Sequence, residues 1–171
     1  MKNKAIPDAS VKFSFFLKDT PLGPLGLHFS AKGLAALTFA GTEAAATAAA
    51  PPPAMAAWIE IVNQGLADYF QGLPGDFSAL PLDLEGTPFQ LRVWQELRKI
   101  PWGETISYKE LAARAGSPKG CRAVGQANGA NPIPLIIPCH RVINANGALG
   151  GFSSGLHHKR WLLENEQKTN H

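Results

Sequence analysis

A cysteine followed directly by a histidine is the arrangement in this chain with the clearest potential for chemistry. Cys139 and His140 stand between Pro138 and Arg141, and an apolar run at residues 135–137 precedes them. The thiolate is the nucleophile in cysteine chemistry, and neighbouring positive charge lowers a thiol pKa from about 8.5 to roughly 3.5–7.5. The pattern therefore predicts a nucleophilic cysteine with a base beside it. The alternative is a buried structural cysteine at a strand end, because free cysteine is often buried.

The second half of the chain, which must position these residues, is predicted to be mostly helical. One helix begins at Thr87-Pro88, with proline at the first helical position, and ends at residues 101–103. Ser107 and Glu110 have the spacing of a capping box for a second helix, which runs to Ala115. A third helix is predicted from Pro118 to Gly129, and a last one over 156–167, with apolar residues 156, 161, 162 and 163 facing the core.

Two short helices joined by a tight turn predict a helix-turn-helix, although an ordinary helical hairpin fits the pattern equally well. The second of these helices is rich in small residues, and each interior glycine costs about 1 kcal/mol relative to alanine. A small-residue face allows close approach to a minor groove, which is only about 6 Å wide. Close packing against another helix inside the protein is the alternative explanation.

The first half has a different pattern, which predicts an α+β protein with a small N-terminal domain over 1–84 and a helical domain over 85–171. Strands are predicted at 11–17, 27–30 and 34–39, with a turn at 21–26, and the economical arrangement is an antiparallel meander. Residues 41–53 are rich in alanine, threonine and proline and read as a linker. A helix follows over 54–71, with residues 58, 61, 62, 66, 69 and 70 as its apolar stripe.

Several stretches of the second half, in order, resemble the O6-alkylguanine-DNA alkyltransferases, also called methylated-DNA–protein-cysteine methyltransferases. The matching stretches are 87–89, 103–108, 122–125, 131–143 and 161–163. The resemblance implies DNA repair by direct damage reversal: one alkyl group passes irreversibly from O6-alkylguanine, with O4-alkylthymine as a further candidate, to the protein after nucleotide flipping. It also implies a ribonuclease-H-like N-terminal sheet with one helix, followed by a catalytic helix-turn-helix domain.

The same resemblance implies a role for each residue near the nucleophile. Cys139 accepts the alkyl group, His140 acts as a base through a water molecule, and Glu166 orients the imidazole. Glu164 is the alternative orienting carboxylate, although the register from Trp161 favours Glu166. Asn131 braces the turn between the recognition helix and an active-site strand.

Further residues are assigned to the DNA and to the flipped base. Tyr108 presses on the flipped nucleotide and donates a hydrogen bond to the purine; the alternative is a half-buried core tyrosine. Arg122 enters the base stack where the flipped nucleotide has left it; the alternative is an arginine that contacts a phosphate or is solvated. Arg141 is expected to hold the site together and is also grouped with the DNA contacts. The other DNA contacts are Gly120, Cys121, Ala123 and Gly125, and the substrate pocket is formed by Val142, Phe152 and Ser153.

Charge and composition limit the partners. Residues 1–85 hold five Lys and Arg against eight Asp and Glu, whereas residues 86–171 hold eleven against five. A basic half that also carries the motifs is typical of a nucleic-acid-binding domain, and an ordinary basic surface is the alternative. The resemblance implies a monomer that binds duplex DNA in the minor groove. No apolar run of about 20 residues is visible, so no membrane contact is expected. No signal peptide is visible either, which predicts a cytoplasmic protein in which Cys121 and Cys139 do not form a disulfide. No metal or organic cofactor is expected.

Other functions fit the sequence less well. Alkyltransferase-like proteins bind alkylation lesions without removing them, but they lack the acceptor cysteine that this chain has at Cys139. Regulatory relatives carry an additional N-terminal metal-binding domain, which 85 residues without cysteine cannot supply. A thiol protease would need a histidine distant in sequence together with a catalytic Asn or Asp.

Overall fold

The computed structural model describes residues 11–39 and 50–168, so the first residues and most of the predicted linker lie outside the described residues. The chain divides into two compact units. The first runs to Gln71 and includes Gly75–Leu84; the second contains Gly72–Pro74 and begins again at Glu85. The assignment of separate functions to domains 1–84 and 85–171 stays a prediction.

The first unit contains the predicted antiparallel meander. Its strands are β1 (Phe13–Leu17), β2 (Leu25–Phe29) and β3 (Leu34–Phe39), in the spatial order β1-β2-β3. Strand β2 begins earlier than predicted because Leu25 pairs with Leu17 on one side and with Phe39 on the other. The meander and the α+β class are confirmed, whereas the ribonuclease-H-like assignment stays a prediction.

Helix α1 (Pro53–Phe70) belongs to this first unit, and its buried face is rotated from the predicted stripe. Met55, Ile59 and Gly65 are buried together with Val62, Leu66 and Tyr69, while Trp58, Ile61 and Phe70 are only partly buried. The predicted stripe missed Gly65 because glycine has no apolar side chain; a Cβ there would collide with the Phe77 ring.

The second unit contains four α-helices among its described residues. They are α2 (Pro88–Leu97), α3 (Tyr108–Arg114), α4 (Cys121–Gly129) and α5 (Leu156–Gln167). A short parallel pair that the sequence did not predict joins β4 (Ile106–Ser107) to β5 (Val142–Ile143). Because β4 leads directly into α3, this pair holds the start of α3 beside the segment that follows Cys139.

The helix starts differ in one respect from the predicted caps. The Ser107 hydroxyl accepts the Glu110 amide, but the Glu110 carboxylate binds Arg114 at 2.6 Å instead of reaching back, so the predicted reciprocal capping box is wrong. A complete capping box occurs at α2, where the Thr87 hydroxyl accepts the Gln90 amide and the Gln90 side chain accepts the Thr87 amide.

Helices α3 and α4 pack against one another, as expected for a helix-turn-helix. Gly116 adopts φ 74° in the connecting turn, and α4 begins at Cys121 instead of Pro118. Residues 118–120 form a turn closed by the Gly120 amide on the Ser117 carbonyl, at 2.7 Å. The indole of Trp94 on α2 donates to the Ala127 carbonyl at 2.9 Å and so fixes α4 to the core of this unit. Across the described ranges, no helix is long and apolar enough to cross a membrane.

Candidate active site

Cys139 begins a short 3-10 helix, Cys139–Arg141, which leads directly into β5. The predicted active-site strand before it is wrong: residues 131–138 form turns, because the prolines in this segment have no amide donor for a sheet. Leu135 within the segment has φ 72°, a conformation that is strained for a residue with a side chain and persists where the surroundings enforce it. The nucleophile therefore lies at the end of a tightly constrained loop.

Asn131 lies where it can enforce this loop. Its side-chain amide donates to the Ile137 carbonyl at 2.7 Å, and its side-chain oxygen accepts the Ile133 amide at 3.0 Å. The residue is buried, so both bonds are shielded from water. This geometry makes Asn131 a positioning residue, since it acts on the backbone that leads to Cys139.

A buried carboxylate organises the residues after the nucleophile. Glu166 Oε1 accepts His140 Nε2 at 2.6 Å, and the two carboxylate oxygens accept Arg141 Nη2 and Nε at 3.1 and 2.8 Å. The Gly103 amide donates to Oε2 at 3.2 Å. Arg141 Nη1 also donates to the Ile100 carbonyl, so one side chain ties the nucleophile segment to the turn after α2.

The electrostatics of this cluster follow from burial and from Arg141. Burial lowers the pKa of His140 despite the neighbouring carboxylate, so the imidazole is neutral at pH 7. Burial raises the pKa of Glu166, but hydrogen bonds from His140 and Arg141 and the charge of Arg141 outweigh that effect and hold this pKa well below its usual value. Because His140 is neutral, Arg141 supplies the charge. With Nε2–H donating to Glu166, Nδ1 is the basic nitrogen of His140.

Arg141 therefore has a structural role. Its guanidinium is buried and donates to Glu166 and Ile100 through all three of its nitrogens. The contact between Arg141 and DNA stays a prediction, and the buried ion pair disfavours it because binding a phosphate would require breaking that pair.

The buried face of α5 is mostly polar and includes only Leu162 of the four apolar residues predicted to face the core. Lys159, Leu162, Asn165 and Glu166 are buried, whereas Leu156 is 46% exposed and Trp161 and Leu163 are partly buried. Glu164 is exposed and cannot replace Glu166. Apolar periodicity failed here because the inner face of α5 carries polar groups of the site.

Lys159 is the clearest member of the site that sequence reasoning missed. The residue is fully buried, and its ammonium donates to the Val142 carbonyl at 2.6 Å and to the Gly151 carbonyl at 3.3 Å. Burial lowers its pKa to about 8, and the negative charge at Cys139 opposes that shift. Lys159 thus links the segment that follows the nucleophile to Gly151 in the cavity wall, and it places positive charge near Cys139.

Tyr108 is the first residue of α3 and is held near Cys139 by the β4–β5 pair. Burial and the negative charge at Cys139 raise the pKa of its phenol, while hydrogen bonds from Gly151 and Asn128 lower it. The net rise keeps the hydroxyl protonated at pH 7 and able to donate. Gly150, at φ 70°, is required here because a Cβ would lie 2.9 Å from the tyrosine ring.

These residues surround a cavity of about 640 Å³. Its lining contains half of the predicted site residues and also Asn128, Gly129, Asn144 and Gly151, which were not predicted. The predicted residues in the lining are Tyr108, Cys121, Arg122, Gly125, Cys139, Phe152 and Ser153. Gly120, Ala123 and Val142 are not part of the lining, and Val142 is fully buried. No cluster in the described ranges has three or more His, Cys, Asp or Glu side chains that could hold a metal ion.

Replacing Lys159 by methionine tests its role. We expect Lys159→Met to slow reaction at Cys139 by about 10-fold or more, because two carbonyls lose their donor and the nucleophile loses a nearby cation. The ratio of wild-type to variant rate should be largest below pH 8 and shrink above it, as the wild-type amine loses its charge. Lys168→Met, which changes an exposed lysine at the C-terminal end of the same helix, is the matched control. A pH-independent ratio would contradict the electrostatic part of this role.

Comparisons with known proteins bear on the whole chain. A family model described as the DNA binding domain of 6-O-methylguanine DNA methyltransferase matches residues 88–168. A methylated-DNA–protein-cysteine methyltransferase of Mycobacterium leprae is 46% identical over 149 residues, which cover 87% of this chain and 89% of that protein. A Salmonella typhimurium protein of the same name is 52% identical over 105 residues, and the match spans only 61% of its length. The crystal structure of Mycobacterium tuberculosis OGT in complex with DNA is similar, with TM-score 0.73 and 43% identity over 89% of this chain and 91% of that one.

Proposed function

This chain belongs to the methylated-DNA–protein-cysteine methyltransferase family, and we propose that it repairs DNA by moving the alkyl group of O6-alkylguanine to Cys139. The observation that carries the proposal is the cavity in which Cys139 faces Tyr108 and Arg122, with the His140–Glu166 pair directly behind it. Nucleophile, base and orienting carboxylate are then present in one unit.

The chemistry is a single displacement. A water molecule relays the thiol proton of Cys139 to His140 Nδ1, and the sulfur attacks the alkyl carbon in line with the bond to O6. The new carbon–sulfur bond forms as the carbon–oxygen bond breaks, and its electron pair stays on the guanine. Tyr108 donates a hydrogen bond to N3 of the leaving purine, which stabilises the developing charge. Neither a metal nor an organic cofactor takes part.

The product explains why we propose a single turnover. A thioether on Cys139 has no good leaving group, so water does not release the alkyl group and the protein is consumed. Each chain should therefore repair one lesion.

The DNA interface is proposed on α4. Cys121, Arg122, Ala123 and Gln126 are exposed on this helix, and Gly125 and Gly129 line the cavity, so a small-residue face can lie in a minor groove. The target nucleotide must leave the duplex to reach Cys139, and Arg122 would fill the space that it vacates. We further propose that a monomer acts in the cytoplasm, where Cys139 stays reduced. Residues 85–171 would bind DNA and react, with residues 1–84 as a separate domain.

The alternative is a protein that binds alkylation lesions without removing them. The presence of an acceptor thiol inside the cavity favours transfer over binding alone. Transfer from a duplex with one tritiated O6-methylguanine decides between them. Protein-bound label should rise with time to a plateau of one methyl group per chain and stay there with excess DNA. Tight binding without protein-bound label would support the alternative. Protein-bound label that rises beyond one methyl group per chain would contradict single turnover.

Arg122 gives a prediction specific to nucleotide flipping. We expect Arg122→Ala to slow transfer from duplex DNA about 10- to 100-fold, because the vacated stack is no longer filled and flipping costs a few kcal/mol. Transfer from single-stranded DNA should change much less, since that base is already unstacked. Arg92→Ala removes the same charge from α2, where Arg92 packs over the Phe89 ring, and controls for electrostatic attraction. Equal slowing on both DNA forms would exclude the flipping role.

A further inference from the structure

The chain contains two Asn-Gly pairs, which lie in opposite surroundings. Asn128-Gly129 is at the C-terminal end of α4, where Asn128 is 4% exposed. Asn146-Gly147 lies in a turn between β5 and α5, and both of its residues are exposed. In such a pair the glycine amide nitrogen can attack the side-chain carbonyl of the asparagine, because glycine has no side chain to hinder the approach. The local structure therefore decides which pair is free to react.

The exposed turn brings the reacting groups of Asn146-Gly147 together. The Asn146 side-chain oxygen accepts the Ala148 amide at 3.1 Å, which folds the side chain back along the backbone of Gly147. The same hydrogen bond draws electrons away from the side-chain carbonyl carbon and makes it a better electrophile. The Gly147 amide donates to the Asn144 carbonyl at 2.9 Å, but this bond lies in an exposed turn and opens easily.

Helix α4 restrains the other pair. Inside an α-helix the Gly129 amide donates to the carbonyl four residues earlier and is not free to attack. The Asn128 side chain is also held, because its nitrogen donates to the Cys139 carbonyl at 3.3 Å. Ring closure at Asn128 thus requires α4 to open, and the Trp94 indole fixes that helix through the Ala127 carbonyl at 2.9 Å. Asn128-Gly129 is an internal control with the same dipeptide sequence.

We propose that Asn146 is a site of spontaneous deamidation beside the cavity. The Gly147 nitrogen bonds to the side-chain carbonyl carbon of Asn146 as the carbon–nitrogen bond of the side-chain amide breaks. That nitrogen leaves as ammonia and takes the proton of the Gly147 amide. Water then opens the cyclic imide at one of its two carbonyls, which gives aspartate or isoaspartate. Either product carries a carboxylate in place of a neutral amide, and isoaspartate also lengthens the backbone of the turn.

The new charge lies where DNA arrives, a consequence that rests on the proposed function. Asn144 is exposed and lines the cavity, so the turn that follows it lies at the rim. The Cα atoms of Asn144 and Asn146 are at most about 7 Å apart, within the Debye length of about 10 Å at 0.1 M salt. A flipped nucleotide brings its phosphates to this rim. Deamidated protein should therefore bind a lesion duplex at least about 2-fold more weakly at low salt, and the difference should shrink as salt rises.

Ageing of the purified protein at mildly alkaline pH tests the site. Peptide mass spectrometry follows the gain of about 1 Da that accompanies each deamidation. In the folded protein Asn146 should convert at least about 10-fold faster than Asn128, which reacts only when α4 opens. In urea the two pairs should convert at similar rates, because the restraint of the helix is gone. Asn146→Gln should remove the event, since a glutamine side chain must close a larger ring.

Two substitutions test the effect on DNA without ageing. Asn146→Asp carries the new charge from the start, and Gln95→Glu adds the same charge to an exposed position of α2 outside the cavity lining. Only Asn146→Asp should weaken binding of the lesion duplex at low salt.

The outcomes separate this inference from the proposed function. Equal conversion of Asn128 and Asn146 in the folded protein, or a stable Asn146 in a chain that converts in urea, would overturn the site. Equal binding by wild-type and Asn146→Asp protein, or equal weakening by Gln95→Glu, would overturn its effect on DNA. Wild-type protein that takes no methyl group from a lesion duplex would overturn the proposed function and leave the conversion rates as they are.

Discussion

Cys139→Ala protein should bind a duplex containing O6-methylguanine and take up no methyl group. The sulfur is the only group that forms the new bond, so its removal eliminates the reaction instead of slowing it. Binding should survive, because Cys139 is buried at the inner wall of the cavity while α4 and Arg122 stay exposed to DNA. Gel-shift affinity and protein-bound tritium, measured on the same samples, check both parts.

The second thiol supplies the control for this result. Cys121 is exposed and lines the same cavity, so it could take up label adventitiously. Cys121→Ala must still accept one methyl group per chain, whatever its rate. If Cys139→Ala protein still took up label and Cys121→Ala protein did not, the acceptor would be Cys121 and not Cys139.

Glu166→Gln should damage both stability and reaction. The substitution keeps the shape of the side chain but leaves the buried Arg141 guanidinium without a counter-charge, and breaking a buried ion pair costs about 3–5 kcal/mol. The hydrogen bond that orients His140 also weakens, so we expect transfer to slow at least 10-fold at a temperature where the variant is folded. Urea unfolding and single-turnover transfer measure the two effects. Glu164→Gln, on the exposed face of the same helix, should change the free energy of unfolding by no more than about 0.5 kcal/mol.

The pH dependence of transfer separates an orienting role of Glu166 from a merely structural one. Neutral His140 is the active form, so the rate rises as pH rises through its pKa. Glu166 favours the protonated imidazole and thus opposes the lowering of this pKa by burial. In Glu166→Gln the acid limb of the rate profile should therefore move to lower pH while the maximal rate falls. An acid limb at the wild-type position would contradict direct coupling between the two residues.

The same groups predict how the folded state responds to acid. The pKa values of Glu166 and His140 are both lowered on folding. As pH falls, these two groups therefore take up protons in the unfolded chain before they do so in the folded chain. The free energy of unfolding should fall as pH drops below about 6.5, where unfolded histidine titrates, and fall further below about 4.5, where unfolded glutamate titrates. Glu166→Gln should remove the second part of this loss, which thermal unfolding between pH 3 and 7 would reveal.

Local signals predicted much of the second unit. The bounds of α5 match the prediction, although its apolar residues did not predict which face is buried. The Cys139–His140 pair and Glu166 lie together as expected because the motifs that carry them are specific in residue type and in register. The three-stranded meander was visible because its strands are bounded by turn residues.

Other features had no local signal. Strands β4 and β5 have two residues each and pair across a long stretch of chain, so no periodicity marks them. Lysine and asparagine are mostly exposed in proteins, which is why Lys159 and Asn128 were not expected inside the site. The left-handed Leu135 depends on the Asn131 bonds around it, and these become visible only when the loop is assembled. Functional polar groups in the core are where an apolar pattern fails.

Mass spectrometry of the intact protein and of its peptides tests the central claim most directly. Wild-type protein is incubated with excess duplex that contains one O6-methylguanine, and its mass is measured before and after. Transfer to a nucleophilic cysteine predicts a gain of about 14 Da, once per chain, located on the peptide that contains Cys139. An unchanged mass with the lesion still bound, or a gain located on Cys121, would contradict the account.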